Sequence, residues 1–180
     1  MADDRARLLE LIEAYAVQRG HFILASGRES NYYLDGRMVA LHPEGAYLIG
    51  QLLFAQMEGL DVQAVGGLTM GADPVASAVS IVSYLEGRPI NAFLVRKEPK
   101  GHGTKKLVEG PLAPGSRVVI VEDTVTTGES PLKAVAAVEE LGCEVAAVMV
   151  VIDREEGARE RIEGAGYRFM PLFTVRDLGL

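Results

Sequence analysis

The chain contains a single cysteine, Cys143, among its 180 residues. One cysteine can form no disulfide within the chain and cannot build a cysteine-rich zinc site, so we expect an intracellular protein, located in the cytoplasm. No apolar run approaches the roughly 20 residues that a membrane-spanning helix needs. The acidic N-terminal stretch 1–15 also lacks the basic and then apolar layout of a signal peptide. These absences predict no membrane partner.

Basic residues are also in short supply. Lys and Arg number 18 against 25 Asp and Glu, which gives a formal net charge of −7. Non-specific nucleic-acid binding relies on Lys and Arg against phosphates, so we expect no nucleic-acid partner. A local basic site for a small anion remains compatible with this balance. The chain is 48% hydrophobic and 24% charged, an ordinary globular mix, and its length predicts one domain over residues 1–180.

The first 60 residues predict two helices around a polar segment. Apolar residues between Leu8 and Tyr15 recur at helical spacing, and we expect this first helix to end at Gly20. Residues 26–36 are polar and rich in turn formers. A second helical pattern covers 43–57 and stops at Gly59.

From residue 62 onward, apolar strands alternate with helical patterns. The strands are nearly all apolar and lack polar alternation, which is typical of strands buried on both faces by crossover helices. We therefore predict an α/β fold whose parallel sheet, over about 61–180, is flanked by helices. The predicted strands are 62–67, 90–95, 117–121, 145–152 and 167–173, and the predicted helices are 74–85, 130–141 and 154–164.

The segment 116–130, SRVVIVEDTVTTGES, contains the densest group of candidate ligand-binding residues. An apolar strand runs into Glu122 and Asp123, and a hydroxyl-rich turn then leads into a helix. Ligands of open α/β sheets bind at the carboxyl ends of strands, and a helix N-terminus with a nearby glycine suits a phosphate. Paired carboxylates suit hydroxyls, Mg²⁺ or a positive centre instead. The alternative is an ordinary helix cap whose acids favour the helix dipole.

A basic segment, 96–110, reads RKEPKGHGTKKLVEG and follows a predicted strand. Its charge and glycines exclude it from a core, so we expect a mobile loop. A cluster of cations in a net-acidic protein indicates a binding site for an anion such as pyrophosphate. A merely solvated loop is the alternative.

These two segments resemble known motifs. VVIVEDTVTTGES resembles the phosphoribosyl pyrophosphate signature of the type I phosphoribosyltransferases, whose ligand combines a phosphate, a diol and a developing positive charge. RKEPKGHGTKKLVEG is similar to the catalytic loop of the orotate phosphoribosyltransferase family. The resemblance implies catalytic roles for Lys100, His102 and Asp123. It also implies that phosphoribosyl pyrophosphate contacts Arg96, Lys97, Lys100, His102, Glu122, Asp123, Thr124, Val125, Thr126, Thr127, Gly128, Glu129 and Ser130.

Two further segments are similar to parts of the same family. FILASGRESNYYLDGR, residues 22–37, resembles a base-binding motif within an N-terminal hood of about 60 residues, and implies that Tyr32 and Tyr33 line the orotate pocket. Many members carry a lysine where this chain has Ala25. GGLTMGADP, residues 66–74, resembles a pyrophosphate loop, again without the lysine that some members have.

The resemblance also implies that Thr126 and Arg154 bind orotate, and that Arg154 pairs with its carboxylate. A guanidinium matches a planar carboxylate in two parallel hydrogen bonds. The implied function is transfer of the phosphoribosyl group to orotate in pyrimidine biosynthesis. Mg²⁺ is then the cofactor, bound mainly through the substrate with no certain protein ligand. The implied assembly is a homodimer in which loop 96–110 acts in the partner's site. A purine phosphoribosyltransferase and a non-catalytic sensor of the ribosyl pyrophosphate are the alternatives.

Overall fold

A computed structural model describes residues 2–23, 27, 29–98 and 106–180. The helices in these ranges are α1 (Ala2–Leu11), α2 (Arg37–Ala40), α3 (Pro43–Gln56), α4 (Ala72–Leu85), α5 (Glu129–Glu139) and α6 (Ala158–Gly164). The strands are β1 (Val17–Ile23), β2 (Glu29–Leu34), β3 (Ala64–Leu68), β4 (Asn91–Val95), β5 (Val108–Glu109), β6 (Arg117–Val125), β7 (Glu144–Asp153) and β8 (Phe169–Thr174). A π-helical turn, Ile12–Ala16, follows α1, and a 3₁₀ turn, Val175–Leu178, follows β8.

The main sheet has the strand order β5-β4-β3-β6-β7-β8. The pairs from β4 to β8 are parallel, which confirms the predicted parallel sheet flanked by helices. The short β5 was not predicted, and it pairs antiparallel with β4. No helix in the described part of the chain is long and apolar enough to cross a membrane.

Helices cover both faces of this sheet, as the apolar strands predict. On one face, Val119 and Met149 join a core built with α1, α3 and α4. On the other face, Ile120 and Val148 join a core built with α5 and α6. Successive residues of β6 and β7 thus point to opposite cores, which explains why the strands show no polar alternation. The N-terminal helices share the first core with the sheet.

The N-terminal layer differs from the prediction. The first helix does not reach Gly20, because the chain turns out of the helix after Ala16 and residues 17–23 form β1. The segment predicted as turn-rich contains β2, which pairs antiparallel with β1 and aligns Arg19 with Tyr32. Cross-strand pairing therefore decides the structure of this polar stretch, in which neither strand has a strong local signal.

Two boundaries in the sheet region were also wrong. β6 continues four residues past Val121, because its end keeps pairing with β7 as far as Val125 and Asp153. The helix predicted from Arg154 begins only at Ala158, since Gly157 precedes it with φ 99°, a left-handed conformation that cannot lie within a helix.

The contact between α3 and α4 depends on a glycine. A methyl group at Gly50 would lie 2.8 Å from the Ala78 carbonyl oxygen and 2.9 Å from Val82 Cγ2. We therefore expect Gly50→Ala to lower the free energy of unfolding by about 1–3 kcal/mol through overpacking, despite the better helix propensity of alanine. Gly164→Ala is the matched control, because nothing lies within 4 Å of its added methyl group. Chemical denaturation of both variants measures the difference, and equal stability would contradict the packing argument.

Candidate active site

A cavity of 250 Å³ lies at the carboxyl edge of the parallel strands. Its walls come from the end of β3 and the turn that follows, the residues after β4, the end of β6, and the starts of α5 and α2. The lining residues are Arg37, Leu68, Thr69, Met70, Gly71, Lys97, Glu122, Asp123, Thr124 and Ser130. Parallel strands bring these segments together because their carboxyl ends share one edge of the sheet.

Glu122 and Asp123 form the floor of this cavity. They are 6% and 8% exposed, so they are more deeply buried than an acid pair at an open strand end would be. Burial is the main cause that raises the pKa of both carboxyl groups, and the neighbouring Asp123 raises the pKa of Glu122 further. Two adjacent carboxyls in this environment cannot both ionise easily, so the empty pair retains a proton near neutral pH.

Two glycines allow the chain to close over the acids. A methyl group at Gly71 would overlap Glu122 Oε1, and one at Gly36 would lie 2.9 Å from Asp123 Oδ2. The turn after β3 and the segment before α2 therefore approach the carboxylates more closely than any other residue type would permit.

The turn after β6 presents hydroxyl groups at the start of α5. Thr126 and Thr127 are exposed, and so is Ser130 in the first turn of the helix. Gly128 makes this turn possible with φ 78°. The free N–H groups of the helix start and its dipole favour an anion here.

The other residues predicted in this turn have different surroundings. Val125 is buried in a core. Thr124 Oγ1 is buried with no hydrogen-bond partner in the described structure. Glu129 is exposed and forms an ion pair of 2.7 Å with Lys133 of the same helix, so its carboxylate is directed along α5.

Arg154 follows β7 and lies beside the end of β6, where its backbone N–H donates to the Val125 carbonyl at 3.0 Å. The adjacent strand ends thus bring Arg154 next to Thr126, as predicted. The side chain is only 10% exposed and its Nε lies 3.0 Å from Glu156 Oε1. Its Cζ lies 5.3 Å from the ring centroid of Tyr32. The guanidinium therefore lies over the Tyr32 ring at cation–π distance.

The two adjacent tyrosines of β2 point to opposite faces of the hairpin, as strand geometry requires. Tyr32 is half-buried and packs near Arg154. Tyr33 is 39% exposed, and its ring centroid lies 5.9 Å from that of Phe22. The structure therefore brings Tyr32, but not Tyr33, to the face that carries Arg154.

Of the basic segment, Arg96 and Lys97 are described, whereas Lys100 and His102 lie outside the described residues. Lys97 lines the cavity of the acid pair. Arg96 lines an adjoining cavity of 440 Å³ with Thr69 and Met70, and its Nη1 lies 3.7 Å from Glu109 Oε1.

Sequence reasoning missed Arg37. This residue closes the motif 22–37, yet no spacing rule linked it to the acids. It also lines a larger cavity of 710 Å³ that adjoins the first. The other lining residues of this cavity are Tyr15, Asp35, Met38, Leu41, His42, Pro43, Met70, Asp73 and Pro74.

The described residues contain no group of three or more His, Cys, Asp or Glu side chains that could hold a metal ion. Among the described residues that line the 250 Å³ cavity, Glu122 and Asp123 are the ones that offer carboxylate oxygens. Mg²⁺ is usually bound through one or two carboxylates together with substrate phosphates and water. The donor set therefore fits Mg²⁺ that arrives with a phosphorylated ligand.

The raised pKa of Glu122 makes stability depend on pH. The folded chain holds a proton that the unfolded chain releases near pH 4.5, so stability falls as pH rises from about 5 to about 9. Glu122→Gln should flatten this fall and be more stable than the original chain by about 1–3 kcal/mol at pH 8.5. Glu129→Gln is the control. Lys133 lowers the pKa of the Glu129 carboxyl, so this group stays ionised between about pH 5 and about pH 9. Denaturation series at several pH values test this, and parallel curves for the original chain and Glu122→Gln would contradict it.

Known proteins share both the sequence and the fold. The phosphoribosyl transferase domain model matches residues 55–166. The orotate phosphoribosyltransferase of Corynebacterium glutamicum is 50% identical over 179 residues, which cover 99% of this chain and 96% of the relative.

Two solved structures of Mycobacterium tuberculosis orotate phosphoribosyltransferase also align over 98% of this chain and 99% of theirs. One has a TM-score of 0.89 at 48% identity. The other, solved with 5-phospho-α-D-ribosyl 1-diphosphate, has a TM-score of 0.84 at 46% identity. These similarities confirm the resemblance found in the sequence. With nearly the whole chain matched at such identity, and with the acid pair, the hydroxyl-rich turn and Arg154 at one sheet edge, the chain belongs to the orotate phosphoribosyltransferase family.

Proposed function

We propose that this chain transfers the phosphoribosyl group of 5-phospho-α-D-ribosyl 1-diphosphate to orotate at the carboxyl edge of β6 and β7. The bond from ribose C1 to pyrophosphate breaks, a bond from C1 to a ring nitrogen of orotate forms, and that nitrogen loses its proton. One observation carries the proposal. A buried acid pair, an anion-binding helix start and a stacked guanidinium lie side by side, and each suits a different part of the two substrates.

The acid pair faces the ribose. The carboxylates of Glu122 and Asp123 accept hydrogen bonds from the two ribose hydroxyls. As the C1 bond breaks, the sugar gains oxocarbenium character, and a nearby carboxylate stabilises that positive charge. Burial strengthens this attraction because water does not screen it. Asp123 is the member that we assign to the catalytic role.

The turn 124–130 holds the 5-phosphate. The hydroxyl groups of Thr126, Thr127 and Ser130 donate to the phosphate oxygens, together with the backbone N–H groups of Gly128 and its neighbours. Val125 and Thr124 contribute through the backbone, because their side chains are wholly or largely buried. Glu129 sits in the same turn and contributes its backbone alone, since its carboxylate is paired with Lys133.

Orotate lies between β2 and the end of β7. Arg154 pairs with its carboxylate, and Thr126 donates a further hydrogen bond. Tyr32 orients the guanidinium from the other side. Tyr33 lies on the opposite face of β2, beside Phe22, so the proposal gives it no contact with orotate.

The leaving pyrophosphate is stabilised by cations. Lys97 already lines the cavity of the acid pair, and Arg96 flanks it. Lys100 and His102 belong to the same loop and complete this cationic cover. Mg²⁺ bound with the substrate would supply positive charge to the pyrophosphate oxygens, and Glu122 and Asp123 are the residues that would help to hold it.

We extend the proposal to a homodimer in the cytoplasm, with loop 96–110 serving the partner's site. Exposed apolar side chains support an interface. Ile81, Tyr84 and Leu85 lie on one face of α4 and are 63–74% exposed. Tyr47 of the adjoining α3 is also exposed, and its hydroxyl accepts a hydrogen bond from Gln51. A contiguous apolar face of this kind marks a protein interaction surface.

Orotate consumption tests the activity directly. With 5-phospho-α-D-ribosyl 1-diphosphate and Mg²⁺, we expect the absorbance of orotate to fall and pyrophosphate to appear. Adenine, guanine and hypoxanthine should give no product. Turnover of a purine base with none of orotate would overturn the proposal.

Arg154→Ala separates the two substrates. Loss of a charge-assisted hydrogen bond should raise the KM for orotate by about 10- to 150-fold. The KM for the ribosyl pyrophosphate should change little. Arg159→Ala is the control, because that arginine pairs with Glu163 on the exposed side of α6. An equal rise in both KM values would assign Arg154 a structural role.

Mixed dimers test the shared site. At orotate concentrations near the KM of the original chain, Lys100→Ala and Arg154→Ala should each be nearly inactive alone. If loop 96–110 acts in the partner's site, each mixed dimer has one site with both lesions and one site with neither. Random pairing makes about half of the dimers mixed, so activity should recover to roughly a quarter of the original. Verified subunit exchange without recovery would show that the loop serves its own subunit.

A further inference from the structure

We propose that Arg37 binds the pyrophosphate group of the substrate and that Asp35 positions it for this task. The inference rests on the proposed function, since it concerns the same reaction. It assigns pyrophosphate binding to a residue of the N-terminal layer, whereas the other cations proposed for the pyrophosphate come from the basic segment.

The first observation is the place of Arg37. Gly36 packs directly on the acid pair, where an added methyl group would lie 2.5 Å from Thr124 Oγ1. The next residue therefore has to start beside the cavity. Arg37 lines the 250 Å³ cavity together with the turn 68–71, Lys97 and the acids.

The second observation is its geometry. Asp35 accepts two parallel hydrogen bonds from the guanidinium, from Nε at 2.9 Å and from Nη2 at 2.9 Å. The backbone N–H of Arg37 also donates to Asp35 Oδ1 at 3.2 Å. This fork fixes the plane of the guanidinium before any ligand binds. No hydrogen bond from Nη1 is found in the described part of the chain, so this edge is available to an anion.

The third observation is the charge of the cavity. Glu122 and Asp123 lie on its floor and would repel a pyrophosphate, which must bind close to the ribose that they contact. The turn 68–71 offers backbone groups and the uncharged Met70. Among the described lining residues, Arg37 and Lys97 are the cations. Asp35 and, more weakly, Asp123 raise the pKa of Arg37, so its charge is fixed at all relevant pH values.

A planar guanidinium suits this position better than an amine would. It offers a second pair of N–H donors on the edge that Asp35 leaves open, and two phosphate oxygens can accept from that edge in parallel. Asp35 is thus a positioning residue, and Arg37 is the residue that touches the substrate.

Calorimetric titration with Mg²⁺-pyrophosphate and, separately, with ribose 5-phosphate tests this division. Arg37→Gln should weaken pyrophosphate binding by about 10- to 100-fold. Binding of ribose 5-phosphate should change by less than about twofold, because the 5-phosphate lies in the turn 124–130. Arg37→Lys should fall between Arg37→Gln and the original chain. Asp35→Asn keeps the charge of Arg37 but removes the carboxylate that holds its guanidinium in place. This variant should weaken pyrophosphate binding only a few-fold.

Arg7→Gln is the matched control. Arg7 forms the same kind of two-bond pair with Glu44, at 2.7 and 2.9 Å, and has a similar exposure, yet it lies on α1 away from the cavity. It should lose comparable stability and no ligand affinity. Unchanged pyrophosphate binding in Arg37→Gln, or equal losses for both ligands, would overturn the inference. An original chain that binds neither ligand would instead refute the proposed function.

Discussion

The burial of two adjacent carboxyl groups at the end of β6 is the constraint on which the rest of the site depends. Removing Glu122 and Asp123 from water raises their pKa values, and that desolvation opposes folding. The chain tolerates this because one proton stays with the pair and because no bulky side chain presses on it. A ligand that brings hydroxyl donors and positive charge stabilises both ionised carboxylates, so the pair no longer needs to keep a proton. The site is therefore built for such a ligand rather than for the empty state.

The same constraint joins the two layers of the molecule. The N-terminal layer and the sheet share one apolar core, and Gly36 brings the chain of that layer against β6. The contact places Arg37 and the hairpin β1–β2 relative to the strand ends. Tyr32 then reaches Arg154 from the hairpin side. The residues that we propose for binding the base and the pyrophosphate are consequently held by elements that are far apart in the chain.

The distribution of charge follows from the topology. A chain with a net charge of −7 gathers an acid pair, a lysine and three arginines around one sheet edge. Parallel strands end at that edge, so β3, β4, β6 and β7 each contribute the residues that follow them. In the proposed reaction, the acids contact the sugar, the cations face the leaving group, and a helix start faces the phosphate. Opposite charges lie close together here because the acid pair is buried and because Arg37 and Arg154 are held by ion pairs with Asp35 and Glu156.

Local sequence determined a large part of this structure. The apolar runs predicted the buried parallel strands, since both faces of each strand are covered by helices. The order of residues in 96–110 and 117–130 predicted the family. Such features depend on neighbours in the chain or on a motif of fixed length.

Tertiary structure alone decided the rest. The hairpin replaced an expected helix end at Gly20, because cross-strand pairing outweighs a weak local preference. The opposite directions of Tyr32 and Tyr33 follow from β2 being a strand. The place of Arg37 depends on a contact between Gly36 and Thr124, which lie 88 positions apart in the printed sequence. No local pattern predicts this contact, because it is set by how the N-terminal layer packs on the sheet.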